Sequence, residues 1–142
     1  MTLTVADIMT SHPVTLHRDS TLKDAHDITR NKGIRHLPVV DVNNNKLLAI
    51  VTQKAMMAKV ISLVNLYGHE KLPEVEQQTN IMEIAVVDYD AVRANEKLAD
   101  VASFFVDNKH GCLPVVDSEG LLQGIITSSD FVKLAAKLLS EQ

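Results

Sequence analysis

The sequence contains no tryptophan, a single cysteine and few aromatic residues, and these shortages narrow the choice of function. Aromatic residues make up 4% of the 142 residues, which argues against the stacking platforms that bind single-stranded nucleic acid. The net charge is −4, and the lysines and arginines are scattered, which argues against a basic face for duplex nucleic acid. We therefore expect no nucleic-acid partner.

The sequence also lacks the features of secreted and membrane proteins. Its one cysteine, Cys112, cannot form an internal disulfide, which is typical of a reducing compartment. No apolar run approaches the roughly 18 residues of a membrane span, and the first residues do not resemble a signal peptide. We expect a cytoplasmic protein without a membrane partner.

Catalytic and metal-binding motifs are absent too. The six histidines show no metal-ligand spacing, and His110-Gly111-Cys112 matches neither a zinc site nor a catalytic pair. The sequence has no phosphate-binding P-loop and no G-x-S-x-G nucleophile motif. We expect no catalytic residue, no metal and no required cofactor, and hence no enzyme.

The chain does contain an internal repeat. The segment Leu37–Asp41 reads LPVVD and returns unchanged as Leu113–Asp117, 76 residues later (113 − 37). Beyond a turn that is one residue longer in the first copy, the offset becomes 75, as for Ile50 and Ile125. A duplicated unit explains this register, and halves of roughly 70 residues would be marginally stable alone. We predict one compact module with repeats at 1–66 and 80–142 and a connector at 67–79.

Each repeat reads as strand, helix, strand, turn, strand, helix, so the predicted fold class is α/β (α+β). In the first repeat, Asp19 or Ser20 is predicted to cap a helix that runs to about Lys32 and stops at Gly33. A hairpin and a helix over about 53–66 follow.

The second repeat follows the same order. There, Asn95 is the predicted cap of a helix that runs to about Asn108, and the last helix covers about 129–139. Pro38 and Pro114 have no amide hydrogen, so each is expected to begin its strand or lie on a sheet edge.

Two of the predicted helices, over 53–66 and 129–139, are apolar around most of their circumference. A helix of this kind must be buried, and a domain of this size has little interior for two of them. Our hypothesis is that one of these faces is buried in a homodimer. The alternative is that both helices pack only on the sheets of their own chain.

Four segments resemble a tandem pair of CBS domains, the module named after the regulatory region of cystathionine β-synthase. They are Val5–Thr10, Pro13–Leu16, Arg35–Asp41 and Leu121–Asp130. The resemblance implies two β-α-β-β-α units packed through their sheets about a pseudo-twofold, with two clefts between them. In this family the clefts often bind AMP, ADP, ATP, S-adenosylmethionine or NAD, and the modules commonly dimerise and regulate other proteins.

The resemblance therefore implies a stand-alone ligand sensor. Its expected partners are an adenosine-type effector, a second copy of itself and an unidentified regulated protein. The competing hypothesis is a scaffold without ligand, which dimerises and docks on an enzyme or transporter.

The candidate ligand site is Thr127-Ser128-Ser129-Asp130, at the start of the last helix. In one interpretation Thr127 and Asp130 form a capping box. In the other, the helix amides bind a phosphate and the carboxylate binds the two hydroxyls of a ribose. The resemblance places ribose binding on Thr127 and Asp130, and both interpretations can hold together.

Further candidates surround this motif. The adenine side is assigned to apolar and backbone groups of four residues: Val92, Cys112, Leu113 and Pro114. Arg35 and His36 of the first repeat are candidates for the phosphates, or else a surface arginine beside a packed histidine. Cys112 is also readable as a small buried hydrophobic residue.

The first repeat departs from the family pattern. Its matching stretch is Thr52-Gln53-Lys54-Ala55, so a methyl group replaces the carboxylate, and Ala49 replaces the matched Gly124. Because a methyl group accepts no hydrogen bond, we predict one competent cleft, built around Asp130. Lys54 either offers its charge to a phosphate or is a solvated helix residue.

Overall fold

The computed structural model describes residues 2–107 and 111–142, and within them it is a mixed α+β structure with two small sheets. The helices are α1 (Val5–Ile8), α2 (Leu22–Lys32), α3 (Gln53–Tyr67), α4 (Leu72–Gln78), α5 (Leu98–Asp107) and α6 (Ser128–Ser140). The strands are β1 (Thr10–Ser11), β2 (Leu16–His17), β3 (His36–Val40), β4 (Leu47–Thr52), β5 (Cys112–Val116) and β6 (Leu122–Thr127).

The chain forms two compact units that do not coincide with the two sequence repeats. The central unit is Val14–Tyr89, and the terminal unit combines Met1–Pro13 with Asp90–Gln142. The central unit therefore contains the first residues of the second repeat, and the terminal unit contains the first residues of the first repeat. The predicted repeats at 1–66 and 80–142, with the connector at 67–79, describe how the sequence was duplicated. They are different from the compact units and stay a prediction.

The central unit is built on the sheet β2-β3-β4, in which β2 runs parallel and β4 antiparallel to β3. The alternating strand residues and the inner faces of α2 and α3 form its core. The fully or nearly buried members include Leu22, Leu37, Val39, Val51, Met56, Val60 and Ile81. Ile50 extends the sheet by one backbone bridge, exchanging hydrogen bonds of 3.0 and 2.8 Å with Val86.

The terminal unit is built on the sheet β1-β6-β5, which is antiparallel throughout. Its core includes Val5, Leu98, Val101, Leu113, Val115 and Ile126. Strand β1 lies very close to β6 at Gly124. A Cβ added there would lie 2.6 Å from the carbonyl oxygen of Thr10. Only glycine leaves room for this approach.

The predicted cap of α2 is wrong by one or two residues. Thr21 is the N-cap: its hydroxyl accepts from the Asp24 amide at 3.2 Å, and its own amide donates to Asp24 at 2.8 Å. Ser20 instead accepts from the His17 amide at 3.0 Å, which fixes the preceding turn. The predicted end of the helix is confirmed, since Gly33 has φ 68°.

The predicted start of α5 is also too early. Asn95 lies in a turn, and the helix begins at Leu98, whose amide donates to the carbonyl of Leu3 at 2.9 Å. The turn is closed by the Glu96 carboxylate, which accepts from the Arg93 amide. The helix is described to Asp107, and its predicted end at Asn108 lies outside the described residues.

The expectation for the two prolines holds for only one of them. Pro114 lies in β5, at an edge of its sheet, whereas Pro38 lies inside β3, the middle strand of the other sheet. The reason is the shortness of β2, which pairs only with Val39 and Val40. Its ladder begins after Pro38, so the missing amide hydrogen breaks no bond there.

The predicted connector contains a helix of its own. Helix α4 packs on α2 and α3 of the central unit, and its Glu76 is 4% exposed. The Glu76 carboxylate lies 2.8 Å from Nδ1 of His26 on α2. A buried carboxylate requires such a partner, so this pair fixes how α4 sits on α2.

Candidate functional site

The start of α6 carries the candidate ligand site. Thr127 ends β6 in an extended conformation and caps the helix, which places Asp130 on its first turn. The Thr127 amide donates to Oδ2 of Asp130 at 2.9 Å, and the Thr127 hydroxyl donates to the same oxygen at 3.2 Å. The capping-box interpretation therefore describes this structure.

The other oxygen of the Asp130 carboxylate, Oδ1, accepts a hydrogen bond from a residue that is 120 positions away in the sequence. The Thr10 hydroxyl, on β1, donates to Oδ1 of Asp130 at 3.0 Å. Asp130 is 4% exposed, whereas Thr10 is exposed to solvent. A buried carboxylate thus has its two oxygens engaged by the cap and by the N-terminal strand.

The two serines of the motif face solvent. Ser129 shares a hydrogen bond of 2.8 Å with the Thr127 hydroxyl, and the Ser128 amide donates to the Gly111 carbonyl at 3.3 Å. Both side chains are exposed.

The residues assigned to the adenine side belong to the same unit. Cys112 is half-buried and lies directly opposite Thr127 in the β5–β6 ladder. Leu113, 2% exposed, belongs to the core. Val92 is bridged to β5, with its amide donating to the buried Pro114 at 3.0 Å. Through these bonds the fold brings all four into the unit that holds Asp130.

The Cys112 thiol has a strongly perturbed acidity. Burial raises the pKa of Cys112 to about 12, and the negative charge of Asp130 adds to the shift. Because this pKa lies far above 7, the side chain is protonated at neutral pH. It therefore does not form the thiolate, which is the reactive form of cysteine. It acts as a small apolar wall near the carboxylate.

Arg35 and His36 lie in the central unit, at the start of β3. Arg35 is exposed and His36 is half-buried. Burial lowers the pKa of the His36 imidazole, and the neighbouring charge of Arg35 lowers it further. Of the two, only Arg35 offers a positive charge to a phosphate at neutral pH. Their assignment to the phosphates stays a prediction.

The equivalent place in the central unit lacks half of the motif. Thr52 caps α3 and accepts from the Ala55 amide at 3.1 Å, but Ala55 has no carboxylate to return a bond. Lys54 is exposed, and Ala49 is fully buried at the position matched by Gly124. The prediction of a single competent cleft stays open.

Thr10 is a candidate site residue that the sequence did not reveal. It is separated from Asp130 by 120 residues, so no local spacing connects them. The repeat does carry a signal, because the position matched to Thr10 is Val86 and the position matched to Asp130 is Ala55. The polar pair of the terminal unit is thus an apolar pair, Val86 and Ala55, in the central unit.

A separate groove opens in the central unit, with a volume of about 500 Å³. Asp41, the asparagines of the β3–β4 turn and His17 line it, together with Thr15, Leu16, Val40 and Val42. None of the predicted site residues lines this groove. Among residues 2–107 and 111–142, no three histidine, cysteine or acidic side chains cluster as a metal site would require, and no helix could cross a membrane.

Comparison with known proteins gives a consistent result across both repeats. The CBS domain family model matches residues 5–62 and 80–137. A structure of a candidate acetoin utilization protein (AcuB) from Vibrio cholerae is 38% identical, with a TM-score of 0.83, covering 99% of this chain and 95% of that one.

Two similar structures contain adenosine compounds. CBSX2 in complex with AMP is 27% identical over 95% of this chain and 97% of its own, with a TM-score of 0.78. The CBS domain pair of protein MJ0100, in complex with 5′-methylthioadenosine and S-adenosyl-L-methionine, is 26% identical over 96% and 98%, with a TM-score of 0.76. The chain also matches parts of longer curated relatives. It spans 42% of the length of protein MJ1225 from Methanocaldococcus jannaschii and 23% of the length of a homoserine O-acetyltransferase from Methanococcus vannielii.

Proposed function

This chain belongs to the CBS domain family as a tandem pair, and we propose that it is a regulatory sensor of an adenosine compound. The proposed ligand class is AMP, ADP, ATP, S-adenosylmethionine or NAD, bound in the cleft that the family resemblance implies. Two similar structures, with AMP and with S-adenosylmethionine, support this class. The proposed setting is the cytosol, and we expect no required cofactor.

The observation that carries this proposal is the buried carboxylate of Asp130 at the start of α6. A carboxylate at this point can accept both hydroxyls of a ribose, while the exposed first turn of the helix faces a phosphate. The other repeat has Ala55 instead and keeps its helix with the Thr52 cap alone. A helix start in this fold therefore does not require the acid, which favours a further role for Asp130.

Signal transmission follows from differential binding. A ligand shifts the protein toward whichever arrangement it binds more tightly. In the proposed sensor, that arrangement is read by a second copy of the chain or by a regulated protein.

The alternative is a scaffold that binds no ligand and docks on an enzyme or transporter. The observation in its favour is the capping box itself, because both oxygens of Asp130 already accept hydrogen bonds from Thr127 and Thr10. In that case Asp130 would serve stability alone.

A thermal-shift screen with a matched capping-box control separates these two functions. The compounds are AMP, ADP, ATP, S-adenosylmethionine and NADH, and the variants are Asp130→Ala and Asp24→Ala. Asp24 forms the same capping box with Thr21 on α2. A ligand at about 100 times its Kd should stabilise the wild type and Asp24→Ala by about 2.7 kcal/mol.

In Asp130→Ala the affinity should fall about 10- to 100-fold, since a charge-assisted hydrogen bond contributes on the order of 1.5–3 kcal/mol. A titration of the wild type should give one site per chain. If no compound stabilises any variant, and both substitutions only lower the melting temperature, the scaffold function holds. Two equal sites per chain would contradict the single cleft built on Asp130.

We also propose that the sensor is a homodimer, held through an apolar helix face. Helix α3 buries Met56, Val60 and Leu63 but leaves Ile61 57% exposed. Helix α6 leaves Leu139 66% exposed, next to Leu138. Apolar side chains concentrated in this way mark association surfaces.

Sedimentation at micromolar concentration should therefore give the mass of two chains. Ile61→Glu or Leu139→Glu should shift the mass toward one chain, because a charge opposite an apolar partner surface is costly to bury. Val42→Glu is the control, since Val42 is 78% exposed and lies on the β3–β4 turn instead of on either helix. A wild-type protein that sediments as one chain would exclude the dimer.

A further inference from the structure

We infer that Thr10 gates the proposed ligand site: its hydroxyl holds the position on Asp130 that a ribose hydroxyl would take. Ligand binding is then linked to the release of strand β1. The inference rests on the proposed function, since it concerns how the same carboxylate is controlled. Its structural basis is the 3.0 Å hydrogen bond from the Thr10 hydroxyl to Oδ1 of Asp130.

The acceptor capacity of the carboxylate sets up the competition. A carboxylate has about four lone-pair sites that can accept hydrogen bonds. On Asp130, three of these sites are already occupied by donors. These are the Thr10 hydroxyl on Oδ1, and the amide and hydroxyl of Thr127 on Oδ2. A ribose diol needs two acceptor sites, so at least one donor must leave.

Thr10 is the donor best placed to leave. The Thr127 amide is fixed on Oδ2 by the helix start, and moving the Thr127 hydroxyl would free one further site on Oδ2 but leave Oδ1 bound to Thr10. Thr10 is exposed, so water can bind its hydroxyl once that hydroxyl has left the carboxylate. Asp130 is 4% exposed, so a ligand that reaches its Oδ1 must displace the group bound there.

The central unit shows that a segment in the position of β1 does not need this bond in order to pair. Val86, matched to Thr10, exchanges backbone hydrogen bonds with Ile50, just as Thr10 pairs with Ile125. That pairing forms although Val86 has no hydroxyl and the matched Ala55 has no carboxylate. The bond between Thr10 and Asp130 is therefore an addition in the terminal unit, the unit that carries the acid.

The consequence is a connection between the ligand and the N-terminal segment. Strand β1 consists of two residues, paired with Ile125 and Gly124, so little else holds it to β6. Short strands with few backbone bonds open more easily than the core of a sheet. A ligand that removes the Thr10 bond should loosen β1, and loss of the bond by mutation should favour the ligand.

Calorimetric titration of Thr10→Val with AMP, ATP and S-adenosylmethionine tests this connection. The isosteric valine removes the competing donor, and Val86 shows that valine docks at this position. We expect binding about tenfold tighter than in the wild type, the equivalent of one hydrogen bond that no longer has to be broken. Thr10→Ser keeps a hydroxyl, and Ser11→Ala changes the neighbouring exposed residue; both should bind as the wild type does.

Hydrogen exchange of the β1 amides supplies a second readout. In the wild type, ligand should speed exchange at residues 10 and 11; in Thr10→Val, exchange should be fast with or without ligand. If the wild type binds through Asp130 but Thr10→Val binds equally or more weakly, the gate is wrong while the proposed function stands. If neither the wild type nor any variant binds any compound of the proposed class, ADP and NAD included, both are overturned.

Discussion

Replacing His26 with alanine should lower the free energy of unfolding by about 3 kcal/mol, the cost of leaving a buried carboxylate without its partner. The carboxylate is Glu76 of α4, which is 4% exposed and lies 2.8 Å from the His26 ring. Helix α4 belongs to the segment between the repeats, so its attachment depends on this contact. Urea denaturation followed by far-ultraviolet circular dichroism measures the change.

An exposed ion pair on the same helix provides the control. Lys23 and Asp27 of α2 lie 3.0 Å apart, with about a third of each side chain accessible. Replacing Asp27 with asparagine should cost less than about 1 kcal/mol, because water screens the pair. The double variant His26→Leu/Glu76→Leu should recover most of the stability, since it leaves no buried charge. A His26 variant no less stable than Asp27→Asn would contradict this account.

Replacing Gly124 with alanine should destabilise the terminal unit by about 2 kcal/mol, the usual cost of forcing an extra methyl into a closed site. The new Cβ would lie 2.6 Å from the Thr10 carbonyl and 3.1 Å from the sulfur of Met9. Relief requires β1 to move away from β6. We therefore expect a lower denaturation midpoint, together with faster hydrogen exchange at Thr10.

The neighbouring residue and the other repeat provide the comparison. Gln123 is exposed on the same strand, and Gln123→Ala should change stability by less than about 0.5 kcal/mol. In the central unit, Ala49 stands at the matched position, where the pairing consists of the single bridge between Ile50 and Val86. Equal stability of Gly124→Ala and Gln123→Ala would show that β1 is free to shift without cost.

The sequence predicts the elements of this fold that depend on local patterns. The two hairpins, α3, α6 and the end of α2 at Gly33 follow from apolar periodicity, turn residues and a glycine in the left-handed conformation. Helix α4 escapes this reading. Its Pro73 suggests a break in a connector, yet proline is well suited to the first turn of a helix, where it lies here.

The elements that escape prediction depend on contacts between distant segments. Nothing local indicates that β1 pairs with β6, more than a hundred residues later, or that Leu3 receives the first amide of α5. The partner of each strand is decided by which surfaces the whole chain can bury. The tandem repeat predicts two like units, but not the exchange of their first segments.

The sequence predicts part of the candidate site, namely Thr127 and Asp130, but not the hydrogen bonds that their side chains make. Thr127 and Asp130 stand out because a hydroxyl and an acid three residues apart begin a helix. The same geometry serves a cap and a ribose, so spacing cannot tell which donors reach the carboxylate. The bond from Thr10 lies across the sheet and became visible only in three dimensions.

The exchange of first segments has a consequence for the order in which the protein matures on the ribosome. The central unit is complete once Tyr89 has been synthesised, whereas residues 1–13 find their partner strands only within 90–142. At about 5–20 residues per second, residues 1–13 wait several seconds for them. During that interval residues 1–13 are available to chaperones. A chain that stalls or is truncated after Tyr89 would have a folded central unit and an unpaired segment at residues 1–13.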